Sequence, residues 1–206
     1  MKINKRYLSS IFLSCFLMFM SVYNLNFAQS KDSKEVVAMV LGKSDAPLKI
    51  VEYASFTCPH CATFHLQVLP KIKDDYIDKG QVQIEYREVY FDGPGLWAGL
   101  LARCKGDEKY FAMIDLIFEK QKDWARGNID DTKAGLLSIG RQAGLTDSES
   151  LTCMQDDALA EKMVLSFQEN SKRDGVSSTP SFLINGKLVR NMPYEELQEI
   201  IEKYLD

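Results

Sequence analysis

Two cysteines that bracket Pro59 and His60, in Cys58-Pro-His-Cys61, have a spacing that can do chemistry. A Cys-x-x-Cys serves zinc sites, haem attachment and redox pairs alike. Attachment of a c-type haem needs His directly after the second cysteine, and residue 62 is Ala. Zinc would have Cys58, Cys61 and His65 as candidate ligands, with His60 nearby. A structural zinc usually draws on a second ligand pair, whereas Cys104 and Cys153 stand far apart in the chain without neighbouring ligands. No metal is therefore expected. Thiol–disulfide exchange accounts for more of the residues. It needs a thiolate, which the unpaired N–H groups and positive dipole end of a helix start stabilise. Pro59 suits the first helical position, where a missing N–H costs nothing, and this puts Cys58 at the helix start. His60, when protonated, adds positive charge near the Cys58 sulfur. Cys61 lies one turn inward, where it can attack a mixed disulfide at Cys58 and release the substrate. The competing reading is a helix-capping cysteine pair beside a solvated histidine.

The elements that must position this pair are legible from periodicity. Leu48–Ala54 is a mostly apolar run that reads as a buried strand, with one charge, Glu52, inside it. Phe64, Val68, Leu69 and Ile72 give a helical apolar face, so a helix is expected from about Cys58 to Asp75, bent at Pro70. Residues 81–89 alternate in period two and form the next strand. From Gly93 to about Arg173 the pattern turns helical: Leu96–Lys105, Lys109–Trp124, Asp131–Ala143, Thr146–Met154 and Asp157–Lys172. Thr146 and Glu149 match a capping box. The aromatic and aliphatic stripes here, with Trp97 and Trp124, read as core, and His65 reads as an ordinary surface or packing histidine. Pro180–Ile184, the turn Asn185-Gly186 and Lys187–Val189 form a hairpin, since Asn-Gly tolerates the positive φ of a type I′ turn. Pro193–Leu205 is a closing helix.

The 206 residues, 46% hydrophobic and 26% charged, fit one globular domain with room for a sizeable insertion. Lys2, Lys5 and Arg6 precede the apolar stretch Ile11–Tyr23, which is shorter than the roughly 20 residues that span a bilayer. This is the layout of a cleaved secretory signal over residues 1–28, with an uncleaved anchor as the alternative. Residues 29–35 read as a polar tether. The remainder is acidic and lacks the run of basic residues needed to hold a phosphate backbone, so nucleic acid is not an expected partner. Cys15 falls in the discarded segment. Four cysteines then remain in a disulfide-permitting compartment. Pairing of Cys58 with Cys61 is the local option, which leaves Cys104 with Cys153. Closing that long loop would remove roughly 4 kcal/mol of unfolded-chain entropy, a staple rather than a reagent.

Strand, helix, strand, helical block, hairpin and helix, with Cys-x-x-Cys after the first core strand and Thr179-Pro180 before the hairpin, resemble an α/β thioredoxin fold with an inserted all-helical domain. The segments Glu52-Tyr-Ala-Ser-Phe-Thr-Cys-Pro-His-Cys61 and Val176-Ser-Ser-Thr-Pro-Ser-Phe-Leu-Ile-Asn-Gly186 together resemble the DsbA family of periplasmic thiol oxidases. On that resemblance residues 36–92 and 174–206 are the two parts of the thioredoxin fold, and residues 93–173 are the insertion. A second cysteine pair in the insertion resembles what alphaproteobacterial members carry. The resemblance implies that Cys58 is the exposed nucleophile, Cys61 the buried resolving thiol, and Pro180 a cis-proline beside them. Thr179 would hydrogen-bond an extended substrate by strand addition. Glu52 would be the buried acid that accepts or relays the proton of Cys61. The catalytic set is thus Cys58, Pro59, His60, Cys61, Thr179, Pro180 and Glu52, with no cofactor beyond the redox-active disulfide. The implied partners are reduced secreted proteins and a quinone-linked membrane oxidase of the DsbB type, and a monomer is expected because too few residues precede Asp45 for a dimerisation segment. The rivals are an isomerase or reductase of the same fold kept reduced, and a non-catalytic holdase whose cysteines are structural.

Overall fold

The computed structural model describes residues 36–205; the export segment expected at 1–28 and the tether at 29–35 lie outside the described residues. Along Leu48–Ala54 (β2), Leu48, Ile50, Glu52 and Ala54 share one face by the two-residue period, and all four are buried. A strand so covered belongs inside a sheet. It is the central one of five, in the order β1-β3-β2-β4-β5, with β1 at Met39–Leu41, β3 at Val82–Glu88, β4 at Ser181–Ile184 and β5 at Lys187–Arg190. Only the β2–β3 pairing is parallel. Parallel neighbours need a crossover, and the helical stretch 59–77 (α1) supplies it. The β4–β5 hairpin turns at Asn185 and Gly186 with φ of 48° and 76°, the positive values that a type I′ turn demands.

The bend expected at Pro70 takes the form of a local change of helix type. α1 runs α-helical through Pro59–Thr63, widens to a π-helix over Phe64–Val68, tightens again over Leu69–Ile72 and ends in a second π segment, Lys73–Ile77. The Leu69 N–H reaches back five residues to the Phe64 carbonyl. Pro70 has no N–H to donate and its ring would press on the carbonyl four residues earlier, so one widened turn absorbs what would otherwise be a break. Phe64 and His65, adjacent in sequence, are both buried in that segment.

Between β3 and β4 come helices α2 (Gly93–Ala102), α3 (Tyr110–Glu119), α4 (Gln121–Trp124), α5 (Ile129–Gln142), α6 (Asp147–Met154) and α7 (Asp157–Asp174), and α8 (Tyr194–Leu205) closes the chain. The single helix expected over Lys109–Trp124 is divided at Lys120, whose φ and ψ of −95° and 10° leave the helical region. Thr146 and Glu149 do form a capping box. Two buried clusters fill the interior. One joins Leu48, Ile50, Phe64, Ile72, Phe182 and Ile201; the other joins Ala54, Phe56, Cys61 and Tyr86 to Leu101, Ile114, Phe118 and Trp124 of the helical block. The block therefore shares a core with the Cys61 turn. Trp124 is fully buried and Trp97 packs at the margin. Cys104, just past α2, is disulfide-bonded to Cys153 of α6. Among the described residues no helix is long and apolar enough to cross a membrane.

Candidate active site

β2 ends at Ala54, and the tight turn through Ser55 and Thr57 delivers Cys58 to the start of α1 as its N-cap residue, in extended conformation. The Cys58 N–H donates to Ser55 O at 3.1 Å, while its carbonyl accepts from the N–H groups of Cys61 at 3.1 Å and Ala62 at 3.2 Å. Asp92, at the entrance to the helical block, and Gln121 within it fasten this turn. Thr57 Oγ1 donates to Asp92 Oδ2 at 2.9 Å, and Asp92 in turn caps α2 by accepting from the Gly95 N–H. Gln121 of α4 donates through Nε2 to the carbonyls of Phe56 at 2.8 Å and Cys58 at 2.9 Å.

Cys58 and Cys61 are both free thiols, so the structure describes the reduced pair. Their environments differ sharply. Cys58 is half-buried and Cys61 fully buried. The Cys58 thiol is lowered to about 5: the hydrogen bond from the Cys61 thiol is the largest cause, burial opposes it, and the Thr179 side chain and the backbone N–H groups of Cys61 and His60 add to it. Burial first, then the neighbouring Cys58 sulfur, pushes Cys61 far above an ordinary thiol. One sulfur is thus a thiolate at neutral pH and the other stays protonated. His60 contributes through its backbone; the residue itself is exposed.

The Thr179-Pro180 bond is cis, and the Cys58 thiol lies 3.5 Å from the Thr179 carbonyl. Pro180 is buried and Thr179 half-buried. Cys58, Pro59, His60, Cys61, Thr179 and Pro180 are therefore brought together at one end of the sheet. Glu52 lies behind them, with Tyr86 and Phe182 as its register partners on β3 and β4. It is fully buried, neither carboxylate oxygen has a hydrogen-bond partner, and burial pushes it up to about 7, against a smaller downward pull from His65. Cys104 and Cys153 stay apart from this constellation and tie the turn after α2 to α6.

Two neighbours of the site are absent from the sequence reading. Gln121 and Asp92 act through backbone and hydroxyl contacts that span the chain, and no local pattern marks them. His65 had a signal: four residues after Cys61, it lies one turn along the same helix face. The reading of it as a packing histidine holds as to burial, but its Nε2 is 3.8 Å from Glu52 Oε2. Among the described residues no group of three or more His, Cys, Asp or Glu side chains is placed to hold a metal ion.

A family model described as thioredoxin matches residues 34–203. Disulfide bond formation protein D of Bacillus subtilis is 31% identical over 172 residues, which cover 81% of this chain and 76% of that protein. The crystal structure of Wolbachia pipientis alpha-DsbA1 superposes with a TM-score of 0.76 at 28% identity, covering 84% of this chain and 94% of that one. The chain belongs to the DsbA family. Its α/β architecture is the thioredoxin fold of that family, with the helices between β3 and β4 included in the match. A curated relative from Rickettsia bellii is 34% identical over 169 residues, 82% of this chain, which spans 64% of that relative's length.

Proposed function

We propose that this DsbA-family protein is an exported thiol–disulfide oxidoreductase that donates a Cys58–Cys61 disulfide to cysteine pairs of newly secreted proteins. The observation that carries the reading is the asymmetry of the pair: a half-buried sulfur lowered to about 5, next to the Thr179-Pro180 loop, and a buried partner held protonated. A client thiolate attacks Cys58 Sγ, the Cys58–Cys61 bond breaks, and Cys61 leaves as a thiolate that takes a proton from Glu52. The second client thiolate then attacks the client sulfur of the mixed disulfide and Cys58 leaves, already stable as an anion. The client loses two electrons and its cysteine protons; the enzyme pair gains the electrons. A low-pKa leaving thiol speeds that last step and favours the reduced enzyme, which makes the oxidised enzyme a donor of disulfides.

Thr179 offers main-chain and hydroxyl groups to an extended client, reading backbone rather than sequence. Residues 36–92 and 174–206 act as the thioredoxin part and residues 93–173 as an inserted cover, with Cys104–Cys153 as its staple. Residues 1–28 direct export to the periplasm, where a quinone-linked membrane oxidase of the DsbB type restores the disulfide of a monomeric enzyme that needs no other cofactor.

Equilibration of the Cys58–Cys61 pair with glutathione, with Cys104 and Cys153 intact, tests the direction. A potential near −120 mV, about that of strongly oxidising pairs, supports the donor role; one near −270 mV, about that of thioredoxin, turns the assignment to a reductase or isomerase. Full function in Cys58→Ser would leave only a structural role for the cysteines.

A further inference from the structure

Behind the reactive pair sits a group of buried polar atoms with no hydrogen-bond partner: both carboxylate oxygens of Glu52, both ring nitrogens of His65 and the hydroxyl of Tyr86. Packing alone would be served better by an apolar ring at position 65, since a buried polar group without a partner is costly. The ring is tightly held. It stacks on Phe118 of α3 with centroids 4.5 Å apart and meets Tyr86 edge-on at 5.5 Å. In that position Nε2 is 3.8 Å from Glu52 Oε2, and Nδ1 is 3.8 Å from Oδ1 of Asp115 on α3. The Glu52 side chain is 0% exposed and that of Asp115 is 67% exposed. The imidazole thus lies between a carboxylate with no access to water and one that stands in it. It does so from the π segment of α1, a local geometry often associated with functional positions.

We propose that His65 carries protons between Glu52 and solvent at Asp115, so that the buried acid is recharged in every turnover without opening the core. The inference rests on the reading of Glu52 as the proton partner of Cys61. An imidazole can accept at one nitrogen while it donates from the other. When a client has been oxidised and Glu52 has given its proton to Cys61, the Nε2–H of His65 passes to the Glu52 carboxylate and Nδ1 takes a proton from solvent by way of Asp115. When the pair is reoxidised, Glu52 first passes its proton to Nε2 while the Nδ1–H leaves to the Asp115 carboxylate and water, and the freed Glu52 carboxylate then takes the proton of Cys61 as that sulfur closes the disulfide. The two half-reactions move one proton in opposite directions and restore the starting tautomer, so the stacked ring never has to flip. Each 3.8 Å gap closes to a hydrogen-bonding distance of about 3 Å with roughly 1 Å of side-chain movement. The titratable groups facing the ring are Glu52 from β2, Tyr86 from β3 and Asp115 from α3, with Cys61 one turn away on its own helix. Among the described residues, no lysine or arginine forms an ion pair with Glu52 or Asp115.

The test separates the two sulfur steps. Reduced protein is mixed rapidly with excess oxidised glutathione and quenched in acid, giving the rate at which the Cys58–glutathione mixed disulfide forms and the rate at which Cys61 closes it. His65→Phe keeps the stacked ring but cannot carry a proton. Its closure rate is expected to fall by about tenfold or more and to rise in proportion to hydroxide, while mixed-disulfide formation is unchanged, given that acid–base groups contribute roughly 100-fold or more. His65→Gln, which retains polarity, is expected to show the same loss and covers the case in which His65→Phe does not fold. Asp115→Asn, on the surface, gives a smaller loss in the same direction; no loss there removes Asp115 from the route. Glu52→Gln distinguishes the levels of the argument. If it leaves closure at the wild-type rate, the acid–base reading of Glu52 fails. If it slows closure but both His65 variants keep the wild-type rate and pH profile, the relay alone is overturned.

Discussion

Gln121 donates its side-chain amide to the backbone carbonyl of Cys58 at 2.9 Å across 63 residues of sequence. The same nitrogen serves the Phe56 carbonyl at 2.8 Å, so the helical block holds both sides of the turn that presents the nucleophile. Gln121 is itself buried. Gln121→Ala would leave two inward-facing carbonyls without that donor, and the loss of stability expected is about 1–3 kcal/mol. Urea unfolding of the two reduced proteins measures it; equal midpoints would mean that the amide is dispensable to the turn.

The Cys58 thiol titrating at about 5 fixes how the pair's potential should vary with pH. Its folded value lies below the ordinary 9.0, so the stabilisation of the reduced form is fully present above pH 9 and is lost as pH falls through about 5. Below the break, reduction takes up two protons per two electrons and the potential falls by about 60 mV per pH unit; above it only Cys61 binds one, and the slope is about 30 mV. Potentials measured against glutathione from pH 4 to pH 8 locate the break. A single slope of about 60 mV throughout would show that Cys58 is not a stabilised thiolate.

The Cys104–Cys153 disulfide spans 49 residues and joins the turn after α2 to α6. Its chief effect is on the unfolded chain, which loses loop-closure entropy. Replacing both cysteines by Ala should lower the unfolding free energy by about 2–4 kcal/mol. Thermal unfolding of the oxidised proteins reads this directly, and an unchanged melting temperature would dismiss the pair as a staple.

Much of this was legible in the sequence because it is local. The alternation in 81–89, the Asn185-Gly186 turn and the capping box at Thr146 each specify their geometry within a few residues, and the structure has all three. The motif around Cys58 and the distant Thr179-Pro180 carried the family. What local patterns could not give was the surroundings of the thiolate. The N–H groups of the helix start lower Cys58 as the sequence implied, but the Cys61 thiol is the largest cause and the Thr179 side chain adds to it, where the sequence directed attention to the charge of His60. Nor does periodicity announce that a π turn before Pro70 buries His65 next to Glu52, or that Lys120 leaves the helix so that Gln121 starts a new one beneath Cys58. Those contacts depend on how the helical block seats on the sheet, which is a property of the packed core.

Glu52 is expected to make the stability of the protein depend on pH with a sign opposite to that of Cys58. Burial raises its folded value from 4.5 to about 7, so its contribution is fully present below 4.5 and is lost as pH rises through about 7, where the folded state must ionise a carboxyl in the core. A displacement of that size corresponds to about 3 kcal/mol. The oxidised protein isolates the effect, because Cys58 and Cys61 do not titrate in a disulfide. Glu52→Gln removes the ionisation and should flatten that part of the profile, while the other titrating groups cancel between the two proteins. Urea unfolding of both at pH 4.5 and pH 8 gives the difference of differences. If wild type and Glu52→Gln lose stability in parallel over that interval, the carboxyl is not held protonated in the core, and its service to Cys61 would have to be assigned to another group.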